Sequence, residues 1–198
     1  MQTLVSPRPR AMNPHRVSLH DCAPQAWRNG GGRTRELLAW PQAADWRLRA
    51  SIAEIDHGGP FSPFPGVERW FAVVDGAGVE LDLPDGTVTV GPGDPPLRFE
   101  GEAAPGCRLR QGPTRDLNFM HRRGSSGVAM MQAAAAGSEL GGGVAWRALY
   151  VADDALLDID DHTEPLAAGT LLWSDSGDTA RWRLRAGGRA WWLTLDLR

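Results

Sequence analysis

The sequence of 198 residues contains no lysine, because all 21 basic residues are arginine. This absence excludes Schiff-base chemistry, a lysine general base and a Walker A phosphate-binding loop. Only two cysteines are present, Cys22 and Cys107, and their separation indicates neither a thiolate zinc site nor a disulfide framework. No segment approaches the roughly 18 uninterrupted apolar residues of a membrane span, so a cytoplasmic location without a membrane partner is expected.

Charge and histidine content narrow the function further. The formal net charge is −3, which provides no broad positive field for binding nucleic acid or an anionic membrane surface. The five histidines are scattered, without a pair at the spacings typical of metal ligands, so no metal or other cofactor is predicted. Any anion that this protein binds must therefore be held by arginine or by backbone N–H groups.

The N-terminal half reads as a short leader followed by β-strands. Residues 1–16 are rich in proline and arginine, which predicts a flexible leader. Glycine (24) and proline (15) are spread along the whole chain, as expected for many short strands joined by tight turns. Polar and apolar residues alternate in 46–53 and 79–83, which predicts two half-buried strands, and Pro84-Asp85-Gly86-Thr87 predicts a hairpin turn.

The C-terminal half shows one further alternation, at residues 181–185, which again predicts a strand. The run Val128 to Ala136 is the only helical candidate, but it lacks apolar periodicity, so a linker crossing between two lobes fits it better. Four tryptophans are expected to pack in the core of a second lobe, namely Trp173, Trp182, Trp191 and Trp192.

An internal repeat links the two halves. When the chain is shifted by 76 positions, residues 81–104 align without gaps on residues 157–180. The identical pairs include Leu81 and Leu157, and glycines that recur eight positions apart, Gly93 and Gly101 in one half and Gly169 and Gly177 in the other. Glycines at matching turn positions are expected when one β unit is present twice.

The segment from Phe61 to Gly76 resembles the first cupin motif in its spacing. Arg69 occupies the position of the metal-binding glutamate of that motif, and its histidine positions fall on Ser62 and Phe64 or on the neighbouring prolines. The histidine of the second motif falls on Ala104, and in the repeat on Ala180. A guanidinium in place of a carboxylate favours an anion over a cation, because its planar fork binds carboxylates bidentately. The alternative is an exposed arginine on a strand.

A more specific resemblance follows from several short motifs. They are Trp27-Arg28-Asn29-Gly30-Gly31-Gly32-Arg33-Thr34-Arg35-Glu36, the run 46–53, Gly59-Pro60-Phe61-Ser62, Phe64-Pro65-Gly66, Gly112-Pro113 and Asp116-Leu117-Asn118. In combination they resemble the HutD/Ves family of small bacterial bicupins linked to histidine utilisation or stress. The resemblance implies a metal-free two-lobed barrel that binds a histidine-degradation intermediate, such as urocanate or a formylated glutamate, and restrains the pathway without catalysing a step.

The residues around Arg69 leave two interpretations open. Gly30 to Gly32 can form an anion-holding nest of N–H groups or merely a tight bend. Thr34 and Glu36 share one face of the following strand. Asn118 and Asp116 also share a face, and they can form a polar rim or serve only in strand-end hydrogen bonds.

We therefore expect an all-β bicupin of two packed RmlC-like jelly-roll cupin barrels, with lobes at residues 17–120 and 121–198 and early strands that can be swapped between them. The first lobe is expected to bind a small anionic metabolite without catalysis, regulating histidine utilisation. The predicted binding residues are Arg69 as anchor with Asn29, Thr34, Glu36, Ser62, Phe64 and Asn118. The alternatives are a metal-independent isomerase or hydrolase with Glu36 as general base, and a structural module without a ligand. A homodimer is the expected assembly.

Overall fold

The computed structural model describes residues 14–175 and 179–197, and within them the chain forms nineteen β-strands and three 3-10 helices of one turn each, with no α-helix. None of the helices in these ranges is long and apolar enough to cross a membrane. The 3-10 helices span Leu19–Asp21, Ala43–Asp45 and Gly101–Ala103. The strands are β1 (His15–Ser18), β2 (Pro24–Ala26), β3 (Gly32–Trp40), β4 (Leu48–Ile55), β5 (Gly59–Pro60), β6 (Val67–Asp75), β7 (Val79–Leu83), β8 (Gly86–Val90), β9 (Leu97–Glu100), β10 (Gly106–Leu109), β11 (Thr114–Arg122), β12 (Val128–Ala133), β13 (Glu139–Leu140), β14 (Trp146–Val151), β15 (Ala155–Ile159), β16 (His162–Leu166), β17 (Thr170–Asp175), β18 (Trp182–Gly187) and β19 (Ala190–Asp196).

The strands form four antiparallel sheets. Inner sheet 1 has the order β2-β3-β4-β11-β6-β9, and outer sheet 1 has the order β5-β10-β7-β8. Inner sheet 2 has the order β1-β17-β14-β19-β12, and outer sheet 2 has the order β13-β18-β15-β16. We call inner and outer sheet 1 the first sheet pair, and inner and outer sheet 2 the second sheet pair.

The two inner sheets pack face to face and form the centre of the molecule. Trp70 and Phe119 from inner sheet 1 share one buried cluster with Trp146 and Leu193 from inner sheet 2. The Phe119 ring lies 5.8 Å from Trp70 and 5.9 Å from Trp146, measured between ring centroids. Burial of each side chain of this size contributes about 1.5–3 kcal/mol, so this cluster holds the two sheet pairs together.

Each inner sheet also packs against its own outer sheet. Phe71 and Val73 of β6 face Leu81 in outer sheet 1, and Trp192 of β19 faces Trp182 in outer sheet 2. The central strands of the inner sheets are therefore buried on both faces, which explains why β4 is almost wholly buried instead of half-buried as its alternation predicted. Successive residues of one inner strand face two different interiors, so polar residues at alternate positions gather inside the first sheet pair.

The internal repeat is visible in the strand boundaries. β15 and β16 begin and end 76 positions after β7 and β8. The hairpin predicted at residues 84–87 joins β7 to β8, with Leu83 paired to Gly86. Gly93 and Gly169 both adopt a positive φ, as the repeated turn requires. Gly177 lies outside the described residues.

Two sequence expectations differ from the structure. His15 and Arg16, assigned to the leader, already belong to β1, while residues 1–13 lie outside the described residues. Val17 and Ser18, grouped with the first lobe, lie with them in inner sheet 2, where β1 pairs with β17, in agreement with the expected swap of early strands between the lobes. The run 128–136 contains β12, which pairs with β19, and is neither a helix nor a linker. Its alternating buried residues, Ala129 and Met131, fill the central cluster, and this burial explains the strand.

Candidate functional site

A cavity of about 480 Å³ lies in the first sheet pair. Its walls come from inner sheet 1, from the segment before β3 and from the segment between β5 and β6. The residues that line it are Gln25, Ala26, Trp27, Arg28, Asn29, Thr34, Arg49, Ser51, Ala53, Pro60, Phe61, Ser62, Phe64, Arg69, Asn118 and Met120.

Strand register brings the polar residues of the cavity onto one face of the sheet. Met120 of β11 lies between Arg49 of β4 and Arg69 of β6, each directly opposite it. Two residues away on β11, Asn118 lies directly opposite Ser51 of β4. Directly opposite residues of neighbouring strands point to the same face, so these side chains line one wall.

Arg69 is the most deeply buried charge of this wall, with 4% of its surface exposed. Its NH2 group donates a hydrogen bond of 2.7 Å to Asn118 Oδ1. Its Nε and NH1 groups have no hydrogen-bond partner among the described residues, although both atoms are buried. Since most buried polar groups are hydrogen-bonded, these two unpaired nitrogens of a cavity-lining residue indicate a missing acceptor.

Three aromatic rings surround the Arg69 guanidinium. Its central carbon lies 5.1 Å from the ring centroid of Phe61, 5.5 Å from that of Phe64 and 5.0 Å from that of Phe99. Rings at this distance attract a cation through their quadrupole, but they do not neutralise it. Burial, and to a smaller extent the positive charge of Arg49, lowers the pKa of Arg69 to about 10, so it remains charged at neutral pH.

Arg49 forms an ion pair with Glu36 of the neighbouring strand. Arg49 Nε donates to Glu36 Oε2 over 2.6 Å, and the side chains are 15% and 32% exposed. Glu36 is not among the described residues that line the cavity, whereas Arg49 is. The Glu36 carboxylate is thus held by Arg49, whereas a general base needs a carboxylate that is free to approach a substrate.

The aromatic wall is fixed by backbone hydrogen bonds. The N–H of Phe61 donates to Pro105 O over 3.0 Å, and the N–H of Phe64 donates to Gly101 O over 2.9 Å. A Cβ at Gly101 would lie 2.4 Å from Phe64 O, so only glycine permits this close approach. On the opposite side, Trp27 Nε1 donates to Thr34 Oγ1 over 2.8 Å and fixes the indole at the cavity.

The glycine run adopts the bend and not the nest. The N–H of Gly31 donates to Asn29 Oδ1 over 3.0 Å, and the N–H of Gly30 donates to Trp27 O over 3.0 Å. A Cβ at Gly32 would lie 2.3 Å from Glu54 O, so this glycine serves the close approach of β3 to β4. Two N–H groups of the run are therefore already used inside the protein.

Asp116 lies on the same face of β11 but is not among the described cavity-lining residues. It is fully buried, its Oδ2 accepts a hydrogen bond of 2.8 Å from Thr114 Oγ1, and its Oδ1 has no partner in the described part of the chain. Burial raises the pKa of Asp116 to about 8, an effect that the hydrogen bond from Thr114 only partly opposes. This carboxyl group belongs to the apolar interior rather than to a polar rim.

The structure brings together most of the residues that the sequence singled out. Six of them line the cavity, namely Arg69, Asn29, Thr34, Ser62, Phe64 and Asn118. Glu36 touches the cavity only through Arg49. Sequence reasoning missed Arg49, Ser51, Phe61 and Met120, although the alternation in residues 46–53 already placed Arg49 and Ser51 on one face.

The donor set of the cavity does not fit a metal ion of the kind that the cupin motif holds. None of the described residues that line it is a histidine, cysteine, aspartate or glutamate, and two are buried or half-buried arginines. Within residues 14–175 and 179–197, no three such side chains cluster anywhere as a metal site. First-row metals prefer imidazole, thiolate and carboxylate ligands, and adjacent guanidinium groups repel a cation.

A second buried arginine lies inside the second sheet pair. Arg147 of β14 is 1% exposed and donates to Ser174 Oγ over 3.2 Å, to Gly141 O over 3.3 Å and to Ala180 O over 2.6 Å. Its guanidinium carbon lies 4.6 Å from the ring centroid of Trp182. This arginine is held by the protein itself.

Two curated proteins are similar to this chain over about half its length. Protein Ves from Citrobacter koseri is 40% identical over 99 residues, covering 49% of this chain and 52% of that protein. An uncharacterized 21.2 kDa protein in the hutC 3′ region of Pseudomonas putida is 38% identical over 104 residues, covering 48% of this chain and 51% of that protein. The chain thus matches about half the length of these curated relatives.

Solved structures resemble the chain over nearly its full length. HutD from Pseudomonas fluorescens SBW25 has a TM-score of 0.81 at 25% identity, covering 93% of this chain and 99% of that chain. Salicylate 1,2-dioxygenase from Pseudoaminobacter salicylatoxidans, with a TM-score of 0.59 at 12% identity over 98% of this chain and 83% of that chain, shares the fold alone. The all-β fold therefore has cupin-like neighbours. Because the family model described as HutD matches residues 19–192, the chain belongs to the HutD family.

Proposed function

We propose that each sheet pair is one cupin barrel and that the first barrel binds a small anionic metabolite without catalysing its conversion. The observation that supports this function is the state of Arg69, a buried cation that lines the cavity and has two guanidinium nitrogens without a hydrogen-bond partner among the described residues. An uncompensated buried charge is costly, and a ligand carboxylate would relieve that cost. A charge-assisted bidentate contact is the geometry that a guanidinium favours.

The cavity also favours a ligand with a flat or apolar body. Its volume of about 480 Å³ suits a small metabolite, and Phe61 and Phe64 form an apolar wall beside the cation. A charge-assisted hydrogen bond contributes about 1.5–3 kcal/mol, whereas micromolar affinity requires about 8 kcal/mol. The remaining contacts must come from this wall and from Asn118, so we expect micromolar or weaker binding.

The association of the HutD family with histidine utilisation narrows the ligand class. Urocanate and formylglutamate-like acids are small carboxylates from histidine breakdown, and both are compatible with an arginine anchor. We propose that binding such an acid regulates the pathway. The homodimer and the cytoplasmic location stay predictions.

The competing function is a metal-independent isomerase or hydrolase, in which Glu36 would be the general base. The hydrogen bond from Arg49 engages the Glu36 carboxylate, and Glu36 is not among the described residues that line the cavity. Incubation of the protein with urocanate and N-formylglutamate, followed by chromatography, tests for product directly. Turnover that Glu36→Gln abolishes would refute the binding function.

The binding function is tested by calorimetry and by ligand-dependent thermal unfolding. We expect urocanate or N-formylglutamate to raise the melting temperature of the wild-type protein, because a ligand bound only to the folded state stabilises it. Arg69→Met should abolish this rise while the protein stays folded. Arg98→Met, an exposed arginine on the neighbouring strand β9, is the matched control and should keep it. Retention of the ligand effect by Arg69→Met would refute the anchor, and no effect of any small acid on the wild type would refute the function.

A further inference from the structure

Three arginines line the cavity, and one of them, Arg49, binds the carboxylate of a neighbouring residue, Glu36. Arg49 and Arg69 lie on either side of Met120 in the same cross-strand row, and each points to the cavity face. Their charges interact, since Arg49 is one of the two causes that lower the pKa of Arg69. A third cavity arginine, Arg28, is exposed, so solvent screens its charge.

The two arginines differ in what they offer to a ligand. Arg49 is bound to Glu36 through Nε, whereas the hydrogen bond from Arg69 to Asn118 leaves the Arg69 charge without a counter-ion among the described residues. Glu36 lies directly opposite Ser51 of β4, so its side chain starts from the same face of the sheet as Ser51, beside the cavity wall. The arginine without a carboxylate partner is therefore Arg69, because Arg49 is already paired with Glu36.

We propose that Glu36 determines specificity by limiting the cavity to ligands with one carboxylate. By binding Arg49, it leaves Arg69 to receive the ligand carboxylate and places a negative charge where a second ligand carboxylate would have to lie. This inference rests on the proposed binding function, and it favours a urocanate-like monocarboxylate over an N-formylglutamate-like dicarboxylate.

The physical reason is the partial burial of the pair. Like charges in a half-buried site are screened less by solvent than charges on the surface. A dicarboxylate that approached Arg49 would have to displace Glu36 or remain beside it, and both cost affinity. A monocarboxylate with a planar apolar body meets Arg69 and the phenylalanine wall without this conflict. Specificity thus comes from a repulsive group as well as from an attractive one.

The variant Glu36→Gln tests this directly, because glutamine keeps the shape and an acceptor oxygen for Arg49 but removes the charge. The probes are pentanoate and glutarate, which have five carbons each and differ by one carboxylate, together with urocanate and N-formylglutamate. Calorimetry gives the ratio of the dicarboxylate Kd to the monocarboxylate Kd. We expect this ratio to fall at least tenfold in Glu36→Gln, and Glu36→Ala should change it in the same direction.

Two further variants control the measurement. Glu54→Gln removes a carboxylate that binds Arg33 and Arg35 on the other face of β4, and it should leave the ratio unchanged. The double variant Glu36→Gln/Arg49→Met should lose the gain in dicarboxylate affinity, because the freed cation is absent. A ratio in Glu36→Gln within twofold of wild type, with monocarboxylate binding retained, refutes the inference alone. Absence of monocarboxylate binding by the wild type refutes both the inference and the proposed function.

Discussion

The two sheet pairs each bury one arginine, but they treat it differently. Arg147 in the second sheet pair donates to a hydroxyl and two carbonyl groups and packs on Trp182. Arg69 in the first sheet pair donates only to Asn118 among the described residues, and it lies beside a cavity. A buried arginine can thus be hydrogen-bonded within the core or keep donors without a partner. Which of the two occurs depends on the acceptors that the protein places around the guanidinium.

The largest expected effect is on stability, from Arg147→Met. The substitution removes the hydrogen bonds that Arg147 donates to Gly141 O, Ala180 O and the Ser174 hydroxyl, and each buried polar group that loses a partner costs about 1–3 kcal/mol. Urea unfolding measures the loss. Arg183→Met, on an exposed face of β18, should change stability by less than about 0.5 kcal/mol. If Arg147→Met is no less stable than Arg69→Met, the comparison between the two arginines fails.

The second effect concerns Asp116, the other buried charge of the first sheet pair without a full set of partners. Its pKa is raised to about 8 in the folded protein and has its ordinary value in the unfolded chain, so the folded state binds the extra proton between about pH 4 and pH 8. Stability should therefore fall as pH rises through this window.

Asp116→Asn should remove this dependence and stabilise the protein at pH 8 by about 1–3 kcal/mol, because an amide carries no charge to bury. Urea unfolding of both proteins at pH 5, 6, 7 and 8 measures the two slopes. Equal slopes would mean that Asp116 is not the titrating group.

The smallest effect is expected from Arg69→Met in the absence of ligand. Its removal leaves one acceptor, Asn118 Oδ1, and eliminates the cost of burying a charge without a counter-ion. Replacement of a buried charge by a side chain of similar volume is often neutral or stabilising, so we expect a change of less than about 1 kcal/mol in either direction. Denaturation without ligand gives the value. A loss comparable to that of Arg147→Met would show that Arg69 is a structural residue.

Local patterns in the sequence predicted the parts of the fold that depend on near neighbours. The turn at residues 84–87 specifies its hairpin through proline and Asp-Gly, and the matching glycines mark a repeat that the strand boundaries confirm. The alternation at residues 181–185 predicted Trp182 and Leu184 as buried, and both are fully buried.

Parts that depend on distant packing were predicted less well. The run 128–136 lacks strong strand formers at most positions, yet pairing with β19 and burial of Ala129 and Met131 make its first six residues a strand. Trp182 and Trp192 pack inside the second sheet pair as expected, but Trp191 faces the central cluster, since neighbouring residues of one strand face opposite sides.

The candidate site was also predicted where it depends on local patterns and missed where it depends on distant packing. Motif spacing, strand alternation and the family resemblance selected Arg69 and six companions, and six of these seven residues line one cavity. Sequence reasoning missed Arg49 because its role depends on strand register. The register places Met120 between Arg49 and Arg69, and it places Glu36 of β3 next to Arg49. Register between distant strands is not encoded by a local pattern.

The sequence by itself determined an all-β chain with a repeated unit, a family, and an arginine at a position where the cupin motif has a metal ligand. Alternation, turn residues and motif spacing are local properties, so they can be read along the chain. Only the tertiary structure decided which arginine keeps open N–H groups and which carboxylate neutralises its neighbour. Those outcomes depend on the acceptors that strands distant in sequence bring within about 3 Å, and on the removal of water that makes each missing partner costly.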